Sequence, residues 1–109
     1  MPSVSRLPLE VSEAIKLLGE NIRAARVRRE LTQEELAQRC QIARKTLYAI
    51  ERGSPGIALG TVYSVLWTLG LLDSARELAH RDKDEHGKIL EAARQKQRVR
   101  SPALPDNDF

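Results

Sequence analysis

Apolar residues recur at spacings of four and three from Val11 onward, with Val11, Ile15, Leu18, Ile22 and Ala25 forming one helical stripe. The pattern predicts a first helix opening at Ser12 and running to about Arg29. Its polar face carries Lys16, Arg23, Arg26, Arg28 and Arg29, and Lys16 and Arg23 read as an ordinary solvated face. Gly19 weakens a helix locally, so the first turns are expected to fray or to start late. A second helix begins at Thr32. Thr32 is a good N-cap, Glu35 three residues on completes a capping box, and Leu31 with Leu36 forms a hydrophobic staple. Leu36, Ala37 and Cys40 supply its buried side, with Ala37 small enough for a close helix crossing. Gln41-Ile42-Ala43 reads as a tight turn in which Ile42 plugs the space under both neighbouring helices. A third helix follows from about Arg44 to Arg52, with Leu47 and Ile50 inward and Gly53 as its stop.

The remaining pattern is weaker. A fourth helix is expected near Leu59 to Leu69, with Leu59, Val62, Val65, Leu66 and Leu69 as its core stripe and Gly70 as its end. Tyr63 is expected to cover the core; Trp67, four residues on, is open between core cover and a dimer contact. Asp73 is expected to cap a fifth helix through Leu72, Ala75, Leu78 and Ala79. Asp82 with Glu85 looks like a second capping box, starting a last helix near Lys83 to Gln97 that Gly87 interrupts. That helix is weakly apolar and needs a surface to dock on. The chain thus divides into an N-terminal arm (1–10, flexible), a helical domain (11–80), a C-terminal helix with a basic end (81–100) and a tail rich in Pro and Asp (101–109, disordered). Arg6 in the arm could reach a DNA groove, although a plain disordered tail is the simpler expectation.

Two short helices joined by a tight turn are the grammar of a helix-turn-helix, whose second helix enters the DNA major groove. Charge sharpens this. Arg44 and Lys45 occupy the first turn of the third helix, the positive end of its macrodipole, which disfavours cations by about 0.3–1 kcal/mol each. Ala43 at the cap position is a poor N-cap. Two local stability rules are broken at one helix end, and such breaks tend to mark function. Residues at that end face base edges in a helix-turn-helix, where Arg and Lys pair with guanine O6 and N7. Ser54-Pro55-Gly56 is a loop whose serine and free backbone N–H groups could hold a phosphate, or it is a plain connector.

Composition adds bounds. A chain of 109 residues has a thin core, so oligomerisation is a natural way to bury more surface. The net charge of +3 is modest, so any nucleic-acid contact must rest on locally concentrated charge. One such concentration is Arg94 to Arg100, RQKQRVR, which is open between a solvated tail and a DNA-backbone or partner contact. The single cysteine, Cys40, cannot form an internal disulfide or a thiolate metal site and reads as a small core residue. No apolar run approaches the roughly 18 residues of a membrane span, and the N-terminus lacks a signal-like apolar region, so a cytoplasmic location is expected. His80 and His86 lack a convincing ligand set; His80 with Asp84 is only a weak pair. There is no Gly-rich phosphate loop and no nucleophilic triad, so neither enzyme nor cofactor is expected.

The segment LTQEELAQRCQIARKTLYAIERG resembles the helix-turn-helix core of the phage-repressor/Cro-like (Xre) family, and the resemblance runs from about Ile15 to Ala79. It implies an all-α, five-helix, lambda-repressor-like DNA-binding domain. Gln41 stands where relatives usually have Gly, and Ala43 where they often have Ser or Thr. The resemblance implies that Gln33 contacts a phosphate, that Arg44, Lys45, Tyr48 and Ala49 face bases or the neighbouring backbone, and that Thr46 and Arg52 lie near phosphates. It also implies an ion pair between Arg26 and Glu51 that joins the first helix to the third. A further stretch, GIALGTVYSVLWTLGLLD, followed by a basic tail, is similar to HipB-like antitoxins. That similarity implies a homodimer that represses its own operon and binds a HipA-like serine/threonine kinase toxin. The expected function is therefore a sequence-specific DNA-binding repressor, as an antitoxin, with a free-standing Xre-type regulator or a protein-interaction adaptor as alternatives. The adaptor would hold its partner through Trp67 and the last helix.

Overall fold

The computed structural model describes residues 6–100, the side chain of Arg100 excepted. The first five residues of the expected arm and the expected disordered tail at 101–109 lie outside the described residues. The described regular structure is helical throughout, with no strand among it: α1 (Leu9–Arg28), α2 (Gln33–Cys40), α3 (Arg44–Glu51), α4 (Leu59–Thr68), α5 (Leu72–Arg76), a 3-10 turn (Arg81–Lys83) and α6 (Glu85–Arg100). The chain divides into two compact units between Ala75 and Arg76.

In the first unit, α1 through α4 each contribute one fully buried side chain to a common centre: Ile22, Leu36, Leu47 and Val65. Ala25, Ala37, Ile50, Leu66, Leu69 and Ala75 fill the space around them. Ile42, Cys40 and Leu31 pack against this core from the helix ends, as expected for a plug, a small core residue and a staple. Tyr63 covers its edge, half-buried, and its phenol O–H donates to the Ala75 carbonyl at 3.2 Å. Trp67, by contrast, is 67% exposed, which removes it from the core.

Gly19 is not the weak point expected. The first helix starts early rather than late, at Leu9, because the Pro8 carbonyl accepts from the N–H groups of Val11 (3.0 Å) and Ser12 (3.1 Å). Glu10 in its first turn suits the positive end of the helix dipole. Gly19 is buried, and a Cβ there would lie 2.5 Å from the Ile50 carbonyl oxygen and 2.8 Å from that of Glu51. Gly53 makes the reciprocal approach. It has φ +82°, and a Cβ on it would lie 2.8 Å from Lys16 Cα. Two missing side chains therefore let α1 lie directly on the C-terminal end of α3.

Several apolar positions differ from their stripes. Val11, Leu18 and Leu59 are exposed, although each continues a helical face that is buried further along. A stripe marks which face is apolar, not how far a neighbour reaches along it. Here the Ser54–Ala58 connection leaves an open hollow of about 210 Å³ lined by Ile15, Leu18, Ile57, Leu59 and Val62, among others. The fifth helix starts at Leu72 and stops at Arg76; Asp73 therefore lies inside its first turn instead of capping it. Leu78 is exposed and Ala79 is left-handed at φ +53°.

In the second unit, the expected box of Asp82 and Glu85 does not form. Asp82 belongs to the 3-10 turn, where its N–H donates to His80 Nδ1 at 3.1 Å. Asp84 starts α6 instead, its carboxylate accepting from the Gly87 N–H at 3.0 Å. Gly87 does not interrupt the helix; a Cβ there would run into the Asp84 carboxylate, so the bare backbone leaves room for the cap. None of the side chains described on α6 is buried. His80 and Asp84 gather no third ligand, and no group of three metal-binding side chains occurs among the described residues.

Candidate nucleic-acid interface

The two helices of the motif are set by different ends. Thr32 Oγ1 accepts from the Glu35 N–H at 3.0 Å, and the Glu35 carboxylate accepts from the Thr32 N–H at 2.9 Å, so the start of α2 carries the full capping box. The Thr32 backbone N–H, and after it the Thr32 side chain, hold the Glu35 carboxyl below the usual carboxylate range. Gln41 ends the helix in the left-handed conformation at φ 58°, the geometry that glycine takes without strain. It lets the Ile42 N–H turn back to the Ala37 carbonyl at 3.0 Å, closing the helix end and setting Ile42 beneath it.

The start of α3 has no such device. Ala43 offers no side-chain acceptor, the first turn holds no acid, and Arg44 and Lys45 are both exposed there. Along the same helix Leu47, Ile50 and Glu51 are buried, Thr46 and Ala49 are half-buried, and Tyr48 and Arg52 are exposed. Arg44, Tyr48 and Arg52 follow one another at turn spacing, with Lys45 and Ala49 beside them, so these residues form one outward strip. Tyr48 and Arg52 act as a unit. Arg52 Nη1 donates to the Tyr48 hydroxyl oxygen at 2.8 Å, and its guanidinium lies 5.4 Å from the centroid of the same ring. The hydroxyl contact raises the Arg52 pKa above its ordinary value.

Beneath this strip lies a buried ion pair. Arg26 Nε donates to Glu51 Oε2 at 2.7 Å and Nη2 to Glu51 Oε1 at 3.0 Å, a two-pronged contact. The third nitrogen, Nη1, donates to the Leu31 carbonyl at 2.8 Å. Gln33 completes the set, its Nε2 donating to Glu51 Oε1 at 3.0 Å. One arginine thus joins α1, the loop before α2 and the end of α3, with α2 attached through Gln33. Fully partnered charge-assisted bonds of this kind fix relative orientation as well as contributing energy.

The residues expected to meet DNA do not all gather in one place. Gln33 and Arg44 line one hollow of about 540 Å³, together with Arg23, Arg26, Thr32 and Glu34. Gln33 uses one of its two amide N–H donors on Glu51, which leaves one for a phosphate. Ser54 lies elsewhere, against the apolar hollow between α1 and α4. Its N–H is not free, as expected from the loop, but donates to the Ala49 carbonyl at 2.9 Å to close the end of α3. Its hydroxyl alone remains for a phosphate. Arg23, by sequence a member of a solvated face, shares the hollow of Gln33 and Arg44. The signal that could have found it is its position one turn before Arg26 on the same helix face.

Residues 22–71 match the family model described as helix-turn-helix. The match runs from the second half of α1 to the residue before α5 and leaves α6 outside it. No curated protein and no solved structure matches the chain. The all-helical architecture with this motif is consistent with a lambda-repressor-like fold. The match supports the Xre/Cro-like family and, with it, a DNA-binding transcription regulator, a class that works by binding and not typically by catalysis. No helix among the described residues is long and apolar enough to cross a membrane.

Proposed function

We propose that the protein is a cytoplasmic, sequence-specific repressor that binds operator DNA as a homodimer. Each protomer lays α3 in a major groove, with half-sites about one helical turn apart. The observation that carries this reading is the start of α3: two exposed cations and no cap, on a helix whose far end is locked to α1. Arg44 and Lys45 reach base edges, where guanine O6 and N7 accept from cationic donors. Tyr48 and Ala49 face bases or the adjoining backbone. Gln33, Thr46, Arg52 and the Ser54 hydroxyl contact phosphates and set the register.

Within this reading the protein is the autoregulating antitoxin of a toxin–antitoxin operon, with a HipA-like serine/threonine kinase as its protein partner. Support comes from the similarity of the α4 region to HipB-like antitoxins and from exposed apolar surface: Trp67 on α4, and Ile89 and Leu90 on α6. A free-standing Xre-type regulator would need neither of these exposed groups for a partner.

Mobility shifts on the DNA upstream of the protein's own gene test the repressor reading. Wild type should give a specific shift that weakens steeply with salt, as phosphate neutralisation requires. The Arg44→Ala/Lys45→Ala double variant should lose the specific shift. Absence of a specific wild-type shift at moderate salt would refute sequence-specific repression. A monomer by light scattering at micromolar concentration would refute the dimer.

A further inference from the structure

We propose that Arg23, on α1, clamps a DNA phosphodiester in the hollow it shares with Gln33 and Arg44, and so sets how α3 seats in the groove. The proposal deepens the repressor reading and rests on it.

Three features of the hollow carry it. First, its charge is cationic toward a ligand. Arg23 and Arg44 are exposed at its wall, whereas the charge of Arg26 is already neutralised by Glu51. Glu34 is the one acidic side chain lining it, so two available cations face one anion. Second, its donors are those a phosphate oxygen takes: two guanidinium groups and the remaining amide N–H of Gln33. Third, its walls are held in register. Arg23 lies between two residues of α1 that are pinned to α3. Gly19 lies so close to the Ile50 and Glu51 carbonyls on one side that a Cβ would clash with them, and Arg26 grips Glu51 on the other. The backbone of Arg23 therefore cannot slide relative to Arg44 without breaking one of those contacts. A phosphate held by Arg23 is thereby placed at a fixed offset from the first turn of α3. Such a contact carries no sequence information but fixes register and orientation.

The test compares two duplexes, the upstream DNA and a scrambled sequence of equal length, across a salt series. Wild type, Arg23→Ala, Arg23→Lys and Arg44→Ala/Lys45→Ala are measured on both. Arg23→Ala should weaken binding to both duplexes by the same factor. Its log–log salt slope should be shallower by about 0.9 for each protomer that loses one phosphate contact. Arg23→Lys should keep the wild-type slope, since it keeps the charge. The thermal midpoint of Arg23→Ala should match wild type, because the side chain is exposed. Wild-type affinity and slope in Arg23→Ala on both duplexes would overturn the clamp. So would a loss confined to the upstream sequence, which would make Arg23 a base reader. If wild type binds both duplexes equally, the sequence-specific reading fails, yet the Arg23 slope still decides the clamp; if wild type binds neither, both fail.

Discussion

α2 and α3 are neighbours of equal length, eight residues each, and they solve the problem of a helix end in opposite ways. α2 is self-sufficient at its start. Thr32 and Glu35 exchange hydrogen bonds, and Glu34 and Glu35 set negative charge against the positive end of the dipole. α3 has none of this: a methyl at the cap position and two cations in the first turn. Beyond its core residues Leu47 and Ile50, it is held at the other end, where Glu51 is gripped by Arg26 and Gln33, Gly19 admits close packing, and Gly53 closes the turn. A helix held by its core face and by its far end can leave the cap of its near end unsatisfied, and an uncapped, cationic helix start is what an anionic groove can complete. The defect at Arg44 and Lys45 is tolerable because of contacts at the opposite end of the same helix.

The contrast breaks most severely if the anchor is removed. Arg26→Ala leaves the Glu51 carboxylate buried with only Gln33 as a partner, and breaking a buried pair by removing one member costs about 3–5 kcal/mol. That is a large share of the roughly 5–15 kcal/mol that holds a small domain folded. Urea unfolding followed by helical circular dichroism measures it. The paired change Arg26→Met/Glu51→Leu should recover most of the loss, because it removes both charges together. A single-variant cost of under about 1 kcal/mol, the level of an exposed pair, would show that α3 is not held from this end.

A milder pair of changes sharpens the same contrast by exchanging the two starts. Thr32→Ala should destabilise the domain by about 1 kcal/mol, since the cap acceptor of α2 is lost. Ala43→Ser should stabilise it by a similar amount, since the introduced hydroxyl would satisfy a donor in the first turn of α3 that has no side-chain acceptor now. The expected opposite signs are read from the same unfolding experiment. If Ala43→Ser is neutral, the first turn of α3 is already satisfied and its start is no defect.

How much of this is legible from residues alone depends on the range of the rule involved. The capping box at Thr32, the plug at Ile42 and the bare cap at Ala43 are local, so spacing is enough to find them. Gln41 is marked by occupying a position where relatives have Gly, and its φ of 58° accords with that. Gly19 misleads because its role depends on Ile50 and Glu51, which are distant in sequence; propensity sees only the cost of a glycine in a helix. Leu59 and Leu18 mislead because periodicity cannot say where a neighbouring element ends. At the α6 cap, Asp82 misleads because the 3-10 turn takes up its N–H, and Asp84, two residues on, makes the cap instead. For the interface, the cations of α3 stand out through the dipole rule. Arg23, of the proposed clamp, does not: its one signal is its place a turn before Arg26, and one more arginine on a solvated helix face breaks no local rule.

The smallest expected effect is in the pH response, and it too should separate the two helices. The Glu35 carboxyl is held below its ordinary value of 4.5, first by the Thr32 backbone N–H and then by the Thr32 side chain. A carboxyl whose folded pKa is depressed contributes stability that is present in full above its unfolded pKa. That contribution fades as pH falls from about 4.5 through the lower folded value, and it is gone below both. The Thr32 amide proton should therefore titrate in nuclear magnetic resonance spectra with a midpoint below that of a free glutamate. Glu35→Gln should abolish that titration and flatten the acid limb of the stability curve without changing the neutral-pH slope. The start of α3 carries no carboxylate to titrate in this way, so the Ala43 and Arg44 amides should stay still across the same range. A common titration in both helices would mean that the amides report global acid unfolding, and the local distinction between a self-capped and a far-anchored helix would not survive it.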